Sequence, residues 1–206
     1  MTTENSINYN SLNEQLLPFL TKSSDGTAPK RKIPPLQRWQ PMGESDIDIH
    51  IRDNGEWWHE GVKITRQSLV DLFASVLWAE VIDGQKVHYL KTPTDKYRIR
   101  VDDAPLFINR VDVVREDGVD WLEFGTTNGD LIRLDDEHLP YFSHYGDEER
   151  LYIDTRFGLT AKVMNNVMFH LISLGKLDER IENNHNKTVL KLASGGKIYE
   201  ICQSYK

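Results

Sequence analysis

The chain has 206 residues, of which 39% are hydrophobic and 28% are charged, a balance typical of a folded globular protein and too apolar for a disordered one. Its 32 acidic and 25 basic residues give a net charge of −7. The densest basic run is short, Lys30-Arg31-Lys32, so we expect no nucleic-acid binding. The single cysteine, Cys202, excludes an intramolecular disulfide and a thiolate metal cluster.

The N-terminal region, residues 1–33, lacks the basic and apolar segments of a signal peptide. No stretch of the chain approaches the roughly 20 apolar residues of a membrane helix. We therefore expect a cytoplasmic protein with no membrane partner. A short amphipathic helix could form from Leu12, Leu16, Leu17 and Leu20. A linker rich in Ser, Gly, Pro and Lys follows, so we predict that residues 1–33 form a flexible tail and linker.

Folded structure is predicted to begin with a strand over residues 46–52, where isoleucines alternate with polar residues. Asn54-Gly55 accepts the positive φ angles of a hairpin turn. A two-residue loop there would place Ile51 opposite Trp58 and His50 opposite His59.

Two strand-then-helix units are predicted along the chain. In the first, Thr65 is expected to cap a helix. Its buried stripe would contain Leu69, Leu72, Phe73, Val76 and Leu77. In the second, Thr160 is expected to cap a helix that ends at Gly175. Its buried stripe would contain Val163, Met164, Val167, Met168, Leu171 and Ile172.

The segment between these units consists mainly of predicted hairpins. The motif IRVDD of residues 99–103 is echoed by IRLDD of residues 132–136. Asp-Gly and Asn-Gly pairs mark turns at Asp83-Gly84, Asp117-Gly118 and Asn128-Gly129. We expect residues 135–150 to be a surface connection, and we expect a last hairpin to turn at Ser194-Gly195-Gly196.

These elements favour an α+β fold that is antiparallel and β-rich, with two small domains built from repeated strand-or-hairpin-plus-helix motifs. We place an N-terminal α+β domain over residues 34–96 and a C-terminal α+β domain over residues 97–206.

Four motifs occur in order along this region: D-I-D-x, W-x-x-E-G, T-P-x-x-K and I-R-V-x-D-A-P. With them, the chain from about residue 34 to residue 201 resembles a bacterial family known as domain of unknown function 1285. The resemblance implies a two-part α+β protein with repeated motifs and a role in signal transduction. It implies no activity and no catalytic residues, and the N-terminal tail lies outside it.

Several acidic and histidine side chains have the chemistry of site residues. His50 and His59, with Asp48 nearby, have the chemistry of a divalent-metal site. A solvated sheet face explains them more simply, and we predict no metal and no cofactor. Adjacent aspartates on a strand point to opposite faces, so neither Asp102-Asp103 nor Asp135-Asp136 forms a catalytic pair alone. Strand-ending carboxylates that bind the next turn's N–H groups are the simpler interpretation.

Six residues are our candidates for binding a ligand or a partner. Arg66 begins a predicted helix, where the helix dipole disfavours a cation, so an anion or carboxylate contact would explain it. A plain salt bridge to Glu60 or Asp71 is the simpler interpretation. Arg100 and Arg156 also lie at the edges of predicted elements. Trp57 would be an interaction residue if it projects from its hairpin. The full set is Trp57, His59, Arg66, Arg100, Asp102 and Arg156.

The sequence contains no P-loop, no G-x-G-x-x-G and no G-x-S-x-G. We therefore expect a non-enzymatic cytoplasmic regulatory module that binds a small anionic ligand or a protein partner. The alternative is an enzyme acting on a small anionic substrate, in which Arg100 or Arg156 binds the substrate while Asp102 and His59 transfer a proton.

Overall fold

A computed structural model describes Leu16, residues 33–182 and residues 185–202. The predicted tail and linker therefore fall outside the described residues, except for Ile33 and for Leu16, which is helical and fully buried. The chain forms two compact units. Unit 1 contains Met1–Pro105 and Phe157–Leu159, and unit 2 contains Leu106–Arg156 and Thr160–Lys206.

Unit 1 has one six-stranded sheet, in the order β3-β2-β1-β6-β5-β4. Its strands are β1 (Gly43–Ile51), β2 (Trp57–His59), β3 (Val62–Lys63), β4 (Leu77–Ile82), β5 (Gln85–Lys91) and β6 (Asp95–Val101). A 3-10 turn (Leu36–Arg38) precedes β1, and helix α1 (Gln67–Ser75) separates β3 from β4. The alternation seen in the sequence of β1 explains its burial, since its isoleucines are buried and its aspartates are exposed.

Unit 2 contains a second six-stranded sheet, in the order β10-β11-β12-β7-β8-β9, and a three-stranded sheet, β13-β14-β15. The strands of the larger sheet are β7 (Leu106–Glu116), β8 (Val119–Thr126), β9 (Leu131–Arg133), β10 (Pro140–Tyr145), β11 (Glu148–Asp154) and β12 (Thr160–Val163). A 3-10 turn (Arg156–Gly158) and helix α2 (Asn165–Leu174) flank β12. The smaller sheet contains β13 (Lys176–Glu182), β14 (His185–Ser194) and β15 (Lys197–Cys202).

The α+β, β-rich fold in two parts is confirmed, but the expectation of purely antiparallel sheets is wrong. β1 pairs with β6 in parallel, and β7 pairs with β12 in parallel. Hairpin signals reveal only pairings between strands that are neighbours in sequence. Parallel pairing needs a long crossover, and here each crossover contains several other strands. The predicted domain boundary at residues 96/97 also falls inside β6, whereas the compact units divide after Pro105.

The hairpin between β1 and β2 forms, but its predicted register is wrong by one residue. Ile51 pairs with Trp57 and His50 pairs with Trp58. The loop is longer than two residues because the Gly55 N–H donates to the Arg52 carbonyl and closes a turn inside it. A one-residue slip moves every side chain of the return strand to the opposite face. Trp57 therefore shares the core face of Ile51 instead of projecting outward.

Both predicted helix starts are also wrong. Helix α1 begins at Gln67 after an extended Arg66, and helix α2 begins at Asn165 after an extended Met164. Thr160 instead begins β12, where it pairs with Asp154 of β11, and the residues after it pair with β7. Only Val167 and Leu171 of helix α2 are fully buried. Residues 135–150, expected to be a connection, contain β10 and the start of β11.

Gly175 ends helix α2, as predicted. A Cβ atom built on this residue would lie 2.7 Å from both the Lys191 carbonyl oxygen and Leu190 Cδ1, so close packing against β14 requires glycine. The Asp83-Gly84 and Asp117-Gly118 hairpins are confirmed, with positive φ at all four residues. No helix within the described ranges is long and apolar enough to cross a membrane.

Candidate functional site: the ion-pair face of unit 1

One face of the unit 1 sheet carries a row of charged side chains. Directly paired residues share a face, and the register pairs Glu44 with Lys96, Asp46 with Arg98, and His50 with Arg100. The opposite face holds the isoleucines of β1 and the buried Trp57. We call the charged surface the ion-pair face. It consists of Glu44, Asp46, Asp48, His50, Glu80, Lys96, Arg98 and Arg100.

The ion pairs join three strands. Lys96 Nζ lies 2.9 Å from Glu80 Oε2 and 3.3 Å from Glu44 Oε2. Arg98 Nη2 donates to Glu44 Oε1 over 2.9 Å, and this hydrogen bond is the main reason that the pKa of Glu44 is lowered. Burial opposes the charge on Lys96, but its bonds to Glu80 and Glu44 raise its pKa overall. Glu44 and Lys96 therefore stabilise each other's charged forms.

The parallel ladder between β1 and β6 is interrupted in the middle of this face. Asp46 pairs with Arg98 and the next pair is His50 with Arg100, so β1 advances four residues while β6 advances two. β1 therefore forms a bulge at this point and departs from the regular ladder. An open depression of about 330 Å³ lies here, lined by Asp46, Ile47, Asp48, Arg98, Ile99 and Arg100.

Arg100 extends beside this depression into solvent. Its Nη2 donates to Asp48 Oδ1 over 2.5 Å, and the side chain is 67% exposed. Among the described residues, Asp48 is its only hydrogen-bond or ion-pair partner. A guanidinium has five N–H donors in a planar fork that matches carboxylate and phosphate oxygens. Most of the fork of Arg100 is therefore available to an anion.

Asp102 follows Arg100 on the chain and contacts His50. The Nε2 atom of His50 lies 2.5 Å from Asp102 Oδ1. An ionised carboxylate only accepts hydrogen bonds, so Nε2 is the protonated nitrogen. The His50 side chain is 14% exposed and that of Asp102 is 32% exposed. A histidine held by a carboxylate is an arrangement that can also support proton transfer.

His59 lies on β2, the strand next to β1. The predicted register placed it opposite His50, but it does not lie there. It is paired with Ile49, and its Nδ1 donates to the Asp48 carbonyl oxygen over 2.9 Å. The proposed contact of His59 with Asp102 is replaced by the contact of His50 with Asp102. Three of the predicted site residues, His59, Arg100 and Asp102, thus contact the short segment Asp48–His50 from different sides.

The other two candidates of unit 1 do not belong to this face. Trp57 is 3% exposed, and its ring centroid lies 6.2 Å from that of Phe73 in helix α1. It is a core residue, so its assignment as an interaction residue was wrong. Arg66 precedes helix α1, and its Nε donates to Ser68 Oγ over 3.1 Å. The expected ion pair with Glu60 or Asp71 is replaced by this local bond.

Arg156 belongs to unit 2 and forms a separate buried ion pair. Its Nη2 lies 3.1 Å from Asp130 Oδ2, with side chains 16% and 7% exposed. Burial lowers the pKa of Arg156, and Asp130 partly offsets this effect. Asp135, also in unit 2, accepts from the Glu137 and His138 backbone N–H groups at 2.9 Å. This bonding confirms the turn-binding interpretation for Asp135.

Sequence reasoning missed five of the eight residues of the ion-pair face, although a signal was present. Acidic residues alternate with other residues in ESDID of β1, and basic residues alternate in KYRIR of β6. Two period-two strands of opposite charge are natural neighbours. Recognising that complementarity would have suggested the β1–β6 pairing. Within the described part of the chain, no group of three or more His, Cys, Asp or Glu residues is placed to hold a metal ion.

The fold and the site together define a two-unit α+β protein with an ion-paired sheet face in its N-terminal unit. The family models agree with this division. Residues 34–104 match the N-terminal domain of the DUF1285 family, described as a domain of unknown function, and residues 105–201 match its C-terminal domain. The chain belongs to the DUF1285 family.

Two solved structures are similar to the chain. A DUF1285 family protein from Silicibacter pomeroyi DSS-3 is 30% identical with a TM-score of 0.65, over 89% of this chain and 92% of that one. A DUF1285 family protein from Shewanella baltica OS155 is 25% identical with a TM-score of 0.45, over 61% of this chain and 90% of that one. No curated protein matches the chain.

Proposed function

We propose that this protein is a non-enzymatic regulatory module of the cytoplasm that binds a small carboxylate or phosphate anion at the depression between β1 and β6. The observation that carries the proposal is the exposed guanidinium of Arg100 beside that depression, held by one carboxylate contact. An exposed ion pair is worth only about 0–1 kcal/mol, so a ligand anion can replace Asp48 at low cost. A role in bacterial signal transduction fits a module that binds without catalysis.

The interrupted ladder supports this assignment. A regular parallel ladder would leave no depression between the two strands, whereas the irregularity opens one beside two arginines. Arg98 is held by Glu44 and lies 3.8 Å from Asp46 through its Nε atom, so it adds positive charge in a fixed position. Arg100 would then bind the ligand directly, while Arg98 would contribute mainly through its charge.

A thermal-shift screen tests the proposal. The panel contains dicarboxylates, amino acids, sugar phosphates, nucleotides and cyclic nucleotides. A ligand at about 100 times its Kd stabilises the protein by about 2.7 kcal/mol, enough to raise the melting temperature by a few degrees. At the same ligand concentration the Arg100→Gln variant should keep at most about half of this stabilisation, because its Kd is expected to rise at least about 10-fold. Arg110→Gln is the matched control, because Arg110 forms a similarly exposed ion pair with Asp112 in unit 2.

A second candidate function rests on the His50–Asp102 pair. A carboxylate that orients a histidine resembles an acid–base unit, so the protein could be an enzyme acting on a small anion held by Arg100. The Asp102→Asn variant separates the two functions once a ligand is known. Turnover that falls by orders of magnitude while binding and stability persist would establish the enzyme. Intact binding with no turnover in either protein would establish the binding module.

A further inference from the structure

The three-stranded sheet of unit 2 has an exposed edge at β13. This strand pairs with β14 on one side, and no described strand pairs with its other side. A free edge presents unpaired N–H and C=O groups to which another strand can bond. Natural edges are usually protected by being short, bulged or charged. β13 carries five charged residues of both signs, but it is seven residues long and pairs with β14 without interruption.

The edge strand is also amphipathic, with its apolar side uncovered. Leu177 is 57% exposed and Ile181 is 79% exposed, although Leu177 pairs directly with Leu190, which is buried. Asp178 and Arg180 occupy the opposite face. Leu177 and Ile181 lie on the same exposed face of the unpaired edge, with Glu179 between them, so a strand added at this edge could place apolar side chains beside both.

The order of residues in β13 matches an antiparallel copy of itself. If a two-fold axis passes through Glu179, residues at equal distances on either side come to lie opposite each other. Leu177 then faces Ile181 of the second copy, and Asp178 faces Arg180, and symmetry repeats each pair. Apolar and opposite-charge cross-strand pairs are both stabilising. The one unfavourable pair is Glu179 with its own copy on the axis.

We propose that β13 is a homodimerisation edge at which two copies of this chain pair antiparallel about Glu179. Two three-stranded sheets would then join into one six-stranded sheet. The partner is a second copy because the strand is complementary to itself in both its apolar and its charged positions. The proposal is independent of the ligand proposed for unit 1.

Charge reversal and mixing test this register. The full-length chain should sediment as a dimer of twice 23.9 kDa across a dilution series. Asp178→Lys and Arg180→Glu each place like charges opposite each other twice, so each variant alone should be monomeric. When the two variants are mixed, each charge meets an opposite charge and a heterodimer should form. The control pair is Asp112→Lys and Arg110→Glu, an exposed Asp–Arg pair on β7 whose reversal should leave the dimer intact.

A cross-link tests the symmetry axis itself. In a Cys202→Ser background, Glu179→Cys places the two new thiols opposite each other, at a Cα separation compatible with a disulfide. Mild oxidation should give a covalent dimer, whereas Glu116→Cys on β7 should not. Circular dichroism of every variant checks folding, since Arg180 also binds Glu200 and Asp178 binds Lys191 within the chain. A monomeric wild-type chain would overturn the proposal, as would a dimer unaffected by both single charge reversals.

Discussion

His88 should make the stability of unit 1 sensitive to acid. This residue lies on β5 with its side chain toward the core, 9% exposed, and its Nε2 has no hydrogen-bond partner among the described residues. Burial, with a smaller contribution from Lys86, lowers its pKa from 6.5 to about 4. The folded protein therefore holds His88 neutral under conditions in which the unfolded chain protonates it.

The sign and size of the effect follow from linkage. Between pH 6.5 and about 4 the unfolded state binds more protons than the folded state, so the free energy of unfolding falls as the pH falls. A difference of one in the pKa between the folded and unfolded states corresponds to about 1.4 kcal/mol. The free energy of unfolding therefore falls by at most about 3 kcal/mol. At about pH 4.5 most of that loss, between about 2 and 3 kcal/mol, should be present.

Urea denaturation at about pH 7.5 and about pH 4.5 measures this loss. Carboxylates also titrate in this range, so the informative quantity is the difference between wild type and His88→Leu, which cannot titrate. The variant should lose about 2–3 kcal/mol less than wild type on acidification. His144→Gln, which replaces an exposed histidine, serves as the control. Equal acid sensitivity in wild type and His88→Leu would refute the reasoning.

Three further predictions concern packing and buried charge, each measured by urea denaturation. Trp57→Ala should destabilise the fold by about 3–5 kcal/mol, because the side chain is buried. A loss below about 1 kcal/mol would show instead that Trp57 lies at the surface. Gly175→Ala should cost about 1–3 kcal/mol through overpacking against β14, and an unchanged midpoint would contradict the close approach. Arg156→Met should cost about 3 kcal/mol by leaving the buried Asp130 carboxylate without this ion pair, whereas Arg110→Met at an exposed pair should cost less than about 1 kcal/mol. Equal losses in the two arginine variants would contradict the difference in burial.

The sequence was most informative where structure is decided locally. Asp83-Gly84 and Asp117-Gly118 form hairpins because both residues of such a turn need positive φ, a requirement that sequence expresses directly. The alternation in β1 likewise identified its buried isoleucines, because a strand on a half-buried sheet has a period of two.

Prediction failed where distant segments compete for the same backbone. Thr160 has good capping chemistry, but it belongs to β12, a strand that lies between β7 and β11. The residues near Thr160 in sequence give no indication of these two neighbouring strands. The candidate site depends on the same kind of contact. Arg100 and Asp102 were identified, but their partners Asp48 and His50 are more than fifty residues away. Trp57 was misplaced because a longer turn reversed the faces of its strand.

The most direct test of the proposed function is isothermal titration of the strongest ligand from the screen into wild type, Arg100→Gln and Arg110→Gln. Loss of a charge-assisted hydrogen bond is worth about 1.5–3 kcal/mol, so the Kd of Arg100→Gln should rise by roughly 10-fold to 100-fold. Arg110→Gln should bind as wild type does. Equal affinity in all three proteins, or the absence of any anion that binds wild type, would contradict an anion site at the depression between β1 and β6.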